Sequence, residues 1–318
     1  MTAIIETKDL KKYFQIDKNR VVHATDGLSV TISDNEIVGL VGESGSGKST
    51  FGKAVVGLHD KTSGEVWYKG ELTPQRFTPA DYKKYSTEMQ MIFQDPYSSL
   101  NPRMTVLEII GEGLHLQGGF SKADIKEKVA DWLRRVGLQP DHMSRYCHEF
   151  SGGQRQRIGI ARALVLEPKF VVCDEPISAL DVSVQAQVVN LLGEFRDELG
   201  ISLLFIAHDL SMVRYVSDRI VVMYLGAMVE IGKADEVFFH PQHPYTRLLI
   251  GSNPEADPEY ERQHEHVPIK GEIPSPINIP PGCRFAGRCP DVMDKCRQVT
   301  PEVLMLGPSQ GAACLLYA

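Results

Sequence analysis

Two apolar patterns alternate along this chain. Nearly uninterrupted apolar runs occur at Ile37–Val41, Phe170–Cys173 and Ile201–Ala207, with Met89–Phe93 a fourth that carries one polar residue. These read as buried strands, and Phe170–Cys173 is of the continuous kind found in parallel sheets. Helical spacing appears between them. Leu107, Ile109, Ile110 and Leu114 suggest one helix. Ser121 followed by Asp124 opens a second, whose apolar face is Ile125, Val129, Trp132, Leu133 and Val136 and whose stop is Gly137. A third follows Ser151-Gly152-Gly153 and runs to about Leu166 with Ile158, Ala161 and Val165 on one face. Val184, Val188, Leu191, Leu192, Phe195 and Leu199 form a fourth stripe, ended by Gly200.

The first 41 residues read differently, as short strands at Ile4-Ile5, Val21-Val22 and Leu28–Ile32 with a turn at Asp34-Asn35. Ser63-Gly64 turns into a strand at Glu65–Tyr68, residues 71–87 are polar and read as irregular, and Arg219–Glu230 reads as a hairpin around Gly226. The sum is an α/β domain interrupted by a helical insertion. From Asn253 to Pro281 prolines interrupt any long helix, and this stretch reads as an extended linker wrapping the main domain.

Composition narrows the class. The 318 residues are 42% hydrophobic and 24% charged, ordinary for a soluble globular protein. The net charge of −7 argues against a nucleic-acid partner. Met1–Asp17 has no apolar core of signal-peptide length, and no run of about 18 apolar residues spans a bilayer, so the expectation is an intracellular protein that meets a membrane only through partners. Of six cysteines, Cys147 and Cys173 read as core residues. Cys283, Cys289, Cys296 and Cys314 crowd the C-terminal end, more in the manner of a metal site than of a disulfide framework.

The candidate chemistry centres on GESGSGKST at 42–50. A strand, a glycine-rich loop and a helix in succession form a phosphate-binding loop, in which backbone N–H groups and a helix N-terminus converge on phosphate oxygens. Lys48 offers a mobile cation to the β- and γ-phosphates, and Ser49 offers a hydroxyl to Mg²⁺. Asp174 and Glu175 end a buried strand, where α/β proteins place ligands; Asp174 suits Mg²⁺, and Glu175 is placed to polarise an attacking water. His208 ends another such strand, within reach of a phosphate or simply structural. Ser151-Gly152-Gly153 reads as a second anion-binding terminus or a plain glycine-rich helix start, and Tyr13 and Phe14 read as core aromatics.

In this order, GESGSGKST, Gln94, FSGGQ at 150–154, FVVCDE at 170–175, SALD at 178–181 and His208 resemble the nucleotide-binding subunit of an ABC transporter, over nearly the whole chain. FSGGQ is the discriminating motif, since other phosphate-loop ATPases and kinases lack it; it departs from the commoner LSGGQ only at Phe150. The resemblance implies a P-loop ATPase core with a RecA-like mixed or parallel sheet, an N-terminal antiparallel β subdomain, a helical insertion at about 95–168 where a coupling helix docks, and a small Cys-rich extension. The corresponding division is a nucleotide-binding domain over 1–250 and an extension over 251–318.

It also implies roles. ATP would be held by Gly42, Glu43, Ser44, Gly45, Ser46, Gly47, Lys48, Ser49 and Thr50, with Phe14, or alternatively Tyr13, stacking on adenine. Ser151, Gly152, Gly153 and Gln154 would close over the ATP of a second subunit, and Asp181 would communicate across that dimer. Ser49, Gln94 and Asp174 would hold Mg²⁺, Glu175 would act as the base, and His208 would contact the γ-phosphate.

QMIFQDPYSSLNPRMT at 90–105, SALDVSVQAQVVNLL at 178–192, HPQHPYTRLL at 240–249 and GEIPSPINIPPGCRF at 271–285 resemble the oligopeptide/dipeptide importer subfamily, particularly its second ATPase subunit. In some members four tail cysteines bind a four-iron–four-sulfur cluster, and Cys283, Cys289, Cys296 and Cys314 match those positions. Four thiolates suit such a cluster or zinc, and free or disulfide-linked thiols are the third possibility. The partners implied are a second ATPase subunit, of different or identical sequence, two transmembrane permease subunits and, indirectly, an extracytoplasmic binding protein, all at the cytoplasmic face of the membrane. The subfamily also imports nickel chelates, glutathione and oligosaccharides, and no residue of this subunit reads the substrate. A non-transport ABC ATPase is the rival, but the gap from Thr50 to Ser151 holds no sustained heptads and the chain has one ATPase domain, not two.

Overall fold

The computed structural model describes residues 2–178, 180–252 and 274–318. β1 (Ala3–Gln15) folds back on β2 (Val21–Leu28) around a turn at Asp17, whose carboxylate accepts from the N–H groups of Asn19 and Arg20. The apolar pairs expected as short strands are thus parts of one long hairpin. Its polar positions extend the strands because half of each strand faces solvent. β3 (Thr31–Ser33) also pairs with β1, and β4 (Ile37–Val41) leads through the glycine-rich loop to α1 (Lys48–Val55).

β5 (Ser63–Tyr68) pairs with β1 and β6 (Glu71–Leu72) with β5, which completes an antiparallel N-terminal sheet. The polar stretch after it is not irregular: α2 (Pro79–Tyr85) starts with a reciprocal cap between Thr78 and Asp81 and proline in its first turn. β7 (Met89–Ile92) then precedes α3 (Pro96–Ser99), α4 (Val106–Gln117) and α5 (Lys122–Arg135). The Ser121–Asp124 cap forms as the sequence suggests, and Thr105–Glu108 forms another on α4.

α6 (Gly152–Leu164) leads to β8 (Phe170–Asp174) and α7 (Val182–Leu199), which ends at left-handed Gly200. β9 (Ser202–Ile206), α8 (Leu210–Val216), the hairpin β10 (Arg219–Tyr224) and β11 (Ala227–Lys233), α9 (Ala234–Phe239) and α10 (Pro244–Gly251) follow.

The second sheet runs β11–β10–β4–β9–β8–β7, parallel from β10 to β7. β4, β8 and β9 are buried on both faces, and alternate residues feed two cores. Val38, Leu40, Val172, Leu204 and Ile206 pack with α1 and the N-terminal sheet. Ile37, Val41, Val171, Leu203 and Phe205 pack with the helices of the other face, which include Trp132, Ile158 and Phe195. This is why those strands read as unbroken apolar runs.

The tail is tied to this body. β12 (Leu304–Met305) and β13 (Gly311–Ala312) add to the sheet through β11. Of the stretch expected as a wrapping linker, 253–273 lies outside the described residues; beyond it the Pro276 carbonyl accepts from the His23 N–H on β2. No described helix is long and apolar enough to cross a membrane.

Candidate functional site

Four neighbouring parallel strands, β4, β9, β8 and β7, end on the same edge of the sheet. The loop after β4 is Gly42–Gly47, His208 follows β9, Asp174 and Glu175 end β8, and Gln94 follows β7. The strand order alone therefore gathers side chains from four separate stretches of sequence.

The loop needs its glycines. A Cβ on Gly42 would stand 2.2 Å from the Met223 carbonyl oxygen, and one on Gly47 would stand 1.8 Å from that of Ala24. Both residues have positive φ, 152° and 98°. The loop closes over Lys48, which is buried and donates from Nζ to the carbonyls of Gly42 at 2.7 Å and Glu43 at 3.0 Å. Burial lowers the Lys48 pKa, and the charges of Glu175, Asp174 and Glu43 work against that shift. A triphosphate entering the loop offers this ammonium better acceptors than carbonyls.

Ser49, one residue further along α1, donates from Oγ to Asp174 Oδ1 at 2.6 Å. Burial raises the Asp174 pKa against this bond and against Lys53 and Lys48. A hydroxyl and a carboxylate side by side suit Mg²⁺, which takes few protein ligands and completes its shell with water and phosphate. Glu175 is held in the left-handed region, with φ of 44°, and its N–H donates to the Ile206 carbonyl at 2.9 Å. Its side chain accepts from Gln94 Nε2 at 2.7 Å. A carboxylate so turned out of the strand can take a proton from a water beside the phosphates.

The other sequence candidates stand further out. Tyr13 donates from its hydroxyl to Asp26 and its ring lies 4.2 Å from that of His23; burial, then Asp26, raise its pKa. Phe14 meets His59 edge-on at 5.4 Å, with the Lys12 ammonium 4.8 Å from its ring centre. Ser151 caps α6 in a reciprocal pair with Gln154, and no described hydrogen bond joins Ser151–Gln154 to Gly42–Thr50. Gly153 abuts Val184 in the first turn of α7, the helix that Asp181 precedes.

Sequence reasoning missed what holds Glu43. Its N–H donates to the Tyr245 hydroxyl at 2.8 Å, and its carboxylate receives both ends of the Arg288 guanidinium. Neither residue carries a local signal, because each comes from C-terminal sequence and meets the loop only through the fold.

The expectation of a metal-bound cysteine cluster finds no support. Among the described residues no group of three or more His, Cys, Asp or Glu side chains is placed to hold a metal ion. The four tail thiols lie within one another's electrostatic reach, and all four are at least partly buried. Cys283 and Cys296 pack with Ala286 and Leu315, and Cys289 packs against the main core. Burial raises the thiol pKa of Cys283 and Cys314 and pushes that of Cys289 up to about 11.

A separate groove of about 780 Å³ lies between the helical insertion and the sheet, lined by residues that include Tyr82, Met91, Phe93, Leu116, Gln117 and Arg162.

Comparison with known proteins places the chain among similar sequences and folds. A family described as "ABC transporter" matches residues 25–178, and one described as "Oligopeptide/dipeptide transporter, C-terminal region" matches 229–296. The chain is 51% identical to the putative oligopeptide transport ATP-binding protein YkfD of Bacillus subtilis, over 99% of this chain and 95% of that one. It is 48% identical to the oligopeptide transport ATP-binding protein OppF of Escherichia coli, over 94% and 92%. Among solved structures it resembles a dimeric post-hydrolysis state of the ATP-binding cassette MJ0796 bound to ADP and phosphate, with a TM-score of 0.67 and 26% identity over 72% of this chain and 98% of that one.

Proposed function

This chain belongs to the ABC transporter family, as one of its ATPases, and we propose that it powers the import of oligopeptides or dipeptides through a membrane transporter. The observation that carries the reading is the convergence of the phosphate loop, Asp174-Glu175, Gln94 and His208 at one sheet edge, in a chain that matches the oligopeptide/dipeptide C-terminal region.

In this reading the loop N–H groups and Lys48 bind the triphosphate, and Phe14 or Tyr13 meets the adenine. Ser49, Asp174 and Gln94 hold Mg²⁺, which offsets charge on the β- and γ-phosphates. Glu175 takes a proton from the attacking water, His208 steadies the γ-phosphate, and ADP and phosphate leave. Ser151, Gly152, Gly153 and Gln154 close over the nucleotide of a second ATPase subunit, with Asp181 beside them, so that binding closes the dimer and hydrolysis opens it. That subunit is a related chain or a second copy. We take residues 1–250 as the motor, with a helical part at about 95–168, and 251–318 as its extension.

We take the groove beside α4 as the docking place for a helix of a permease subunit, which would hold this protein at the cytoplasmic face of the membrane, with two permeases and an extracytoplasmic binding protein completing the transporter. An iron–sulfur cluster on Cys283, Cys289, Cys296 and Cys314 is not carried into this proposal, because the thiols form no metal-holding group.

The test is reconstitution with permeases and a binding protein of a peptide importer from the same organism. Peptide-loaded binding protein should raise ATP hydrolysis and drive peptide uptake. Stimulation by a nickel chelate, glutathione or an oligosaccharide, and not by peptides, would replace the substrate while leaving the ATPase in place.

A further inference from the structure

Glu43 is the second residue of the phosphate loop, and every polar group it has is occupied. Its N–H donates to the Tyr245 hydroxyl at 2.8 Å and its carbonyl accepts from Lys48 Nζ at 3.0 Å. Its two carboxylate oxygens take the two ends of the Arg288 guanidinium at 2.7 and 2.9 Å. The Arg288 side chain is 6% exposed and also donates to the Tyr224 hydroxyl at 3.2 Å. A two-pronged guanidinium–carboxylate contact at this depth fixes both position and charge, which a single-pronged lysine cannot do.

The same short segment, Cys283–Cys289, makes a second contact. Arg284 donates to Asp26 on β2 and to the Leu225 carbonyl, and Asp26 is also the acceptor of the Tyr13 hydroxyl. The tail therefore touches the strand beside Tyr13 through one arginine and the phosphate loop through the other.

We infer that Arg288 is a positioning residue for nucleotide binding, through which the C-terminal extension sets the affinity of the loop for a nucleoside triphosphate. This rests on reading Gly42–Thr50 as the nucleotide site. The polyphosphate is strongly anionic, and an unpaired carboxylate on the second loop residue opposes it across a low-dielectric site. Arg288 cancels that charge. It also fixes the residue whose carbonyl holds the Lys48 ammonium, so that the lysine is presented to the phosphates from one place.

The test uses the full chain with Mg²⁺ and compares Arg288→Gln, Arg288→Lys and the double variant Glu43→Gln/Arg288→Gln. The readouts are the KM for ATP, kcat and the Kd of a fluorescent ATP analogue, with circular dichroism as a check on folding. Arg288→Gln should raise KM and Kd about tenfold with kcat within about twofold of the unmodified chain, as loss of binding common to ground and transition states requires. The double variant removes both charges and should return KM to within about threefold. If Arg288 served packing alone, the double variant would be at least as impaired as the single one.

Unchanged KM in a folded Arg288→Gln chain, or a double variant no better than the single, overturns the inference. Should Arg288→Gln fail to fold, Arg288→Lys decides: KM raised about threefold supports the inference and unchanged KM overturns it. An unmodified chain that binds no ATP overturns the nucleotide reading itself, a result distinct from a variant that binds as well as the parent.

Discussion

Ser49 and Asp174 stand 125 positions apart in sequence, yet the Ser49 hydroxyl donates to Asp174 Oδ1 at 2.6 Å. One residue lies in the first turn of α1 and the other ends β8, and the sheet order brings them together with only β9 between β4 and β8. If this pair is where Mg²⁺ sits, removing the hydroxyl weakens the metal more than the nucleotide. Ser49→Ala is expected to raise the Mg²⁺ concentration for half-maximal hydrolysis about tenfold, which a metal titration of ATPase rate measures. An unchanged titration would place the metal elsewhere.

Glu175 is expected to be separable from binding. Its side chain accepts from Gln94, it has no described hydrogen bond to the loop, and its backbone is fixed by the Ile206 carbonyl. Glu175→Gln keeps size and hydrogen bonding but cannot take a proton. Hydrolysis should fall by about 10²- to 10⁴-fold, while the Kd for ATP stays within about threefold. Near-normal turnover in this variant would remove Glu175 from the role of base.

How much of this was legible in sequence differs from element to element. The loop was readable because its strand, glycines, Lys48 and helix are contiguous. The caps of α4 and α5 are local too, and so was that of α2: Thr78, Pro79 and Asp81 carried the signal within a stretch that read as irregular for its polarity. The strand order was not legible, because nothing local to β9 says that it lies between β4 and β8. Arg288 and Tyr245 were invisible for the same reason. The four tail cysteines were visible as a cluster in sequence, but spacing alone does not say whether thiols gathered by the fold face an ion or only pack among apolar side chains.

Acid sensitivity should arise beside the tyrosine that holds Glu43, at a buried histidine. His243 is 1% exposed at the start of α10, where its Nδ1 accepts from the Tyr245 N–H. Burial, helped by the charge of Arg247, lowers its pKa from 6.5 to about 3. Below 6.5 the unfolded chain takes up a proton that the folded chain refuses. The stability is therefore intact above that value and is lost as pH falls toward the folded one. The loss approaches about 1.4 kcal/mol per pH unit, or about 2 kcal/mol by pH 5. Denaturant midpoints across this range measure it. His243→Asn keeps an acceptor at the helix start without the titration and should flatten the profile by that amount; an identical slope in the variant would assign the acid sensitivity to other groups.

The groove beside α4 makes the last prediction. Leu116 on α4 is 77% exposed and sits at its lip, with Phe93 and Arg162 also lining it. In the isolated chain this side chain stabilises little, so replacing it should change folding stability by less than about 0.5 kcal/mol. If a permease helix covers it, burying the leucine contributes about 1.5–3 kcal/mol to the complex, and a carboxylate there leaves an unpaired charge in the interface. Leu116→Asp should therefore keep the ATP affinity of the isolated chain within about twofold and weaken association with the permeases at least about tenfold. Affinity for permease-containing nanodiscs, measured beside nucleotide binding on the same preparation, separates the two effects. Equal loss of both would mean that the substitution damages the fold, and unchanged association would move the docking surface off this groove.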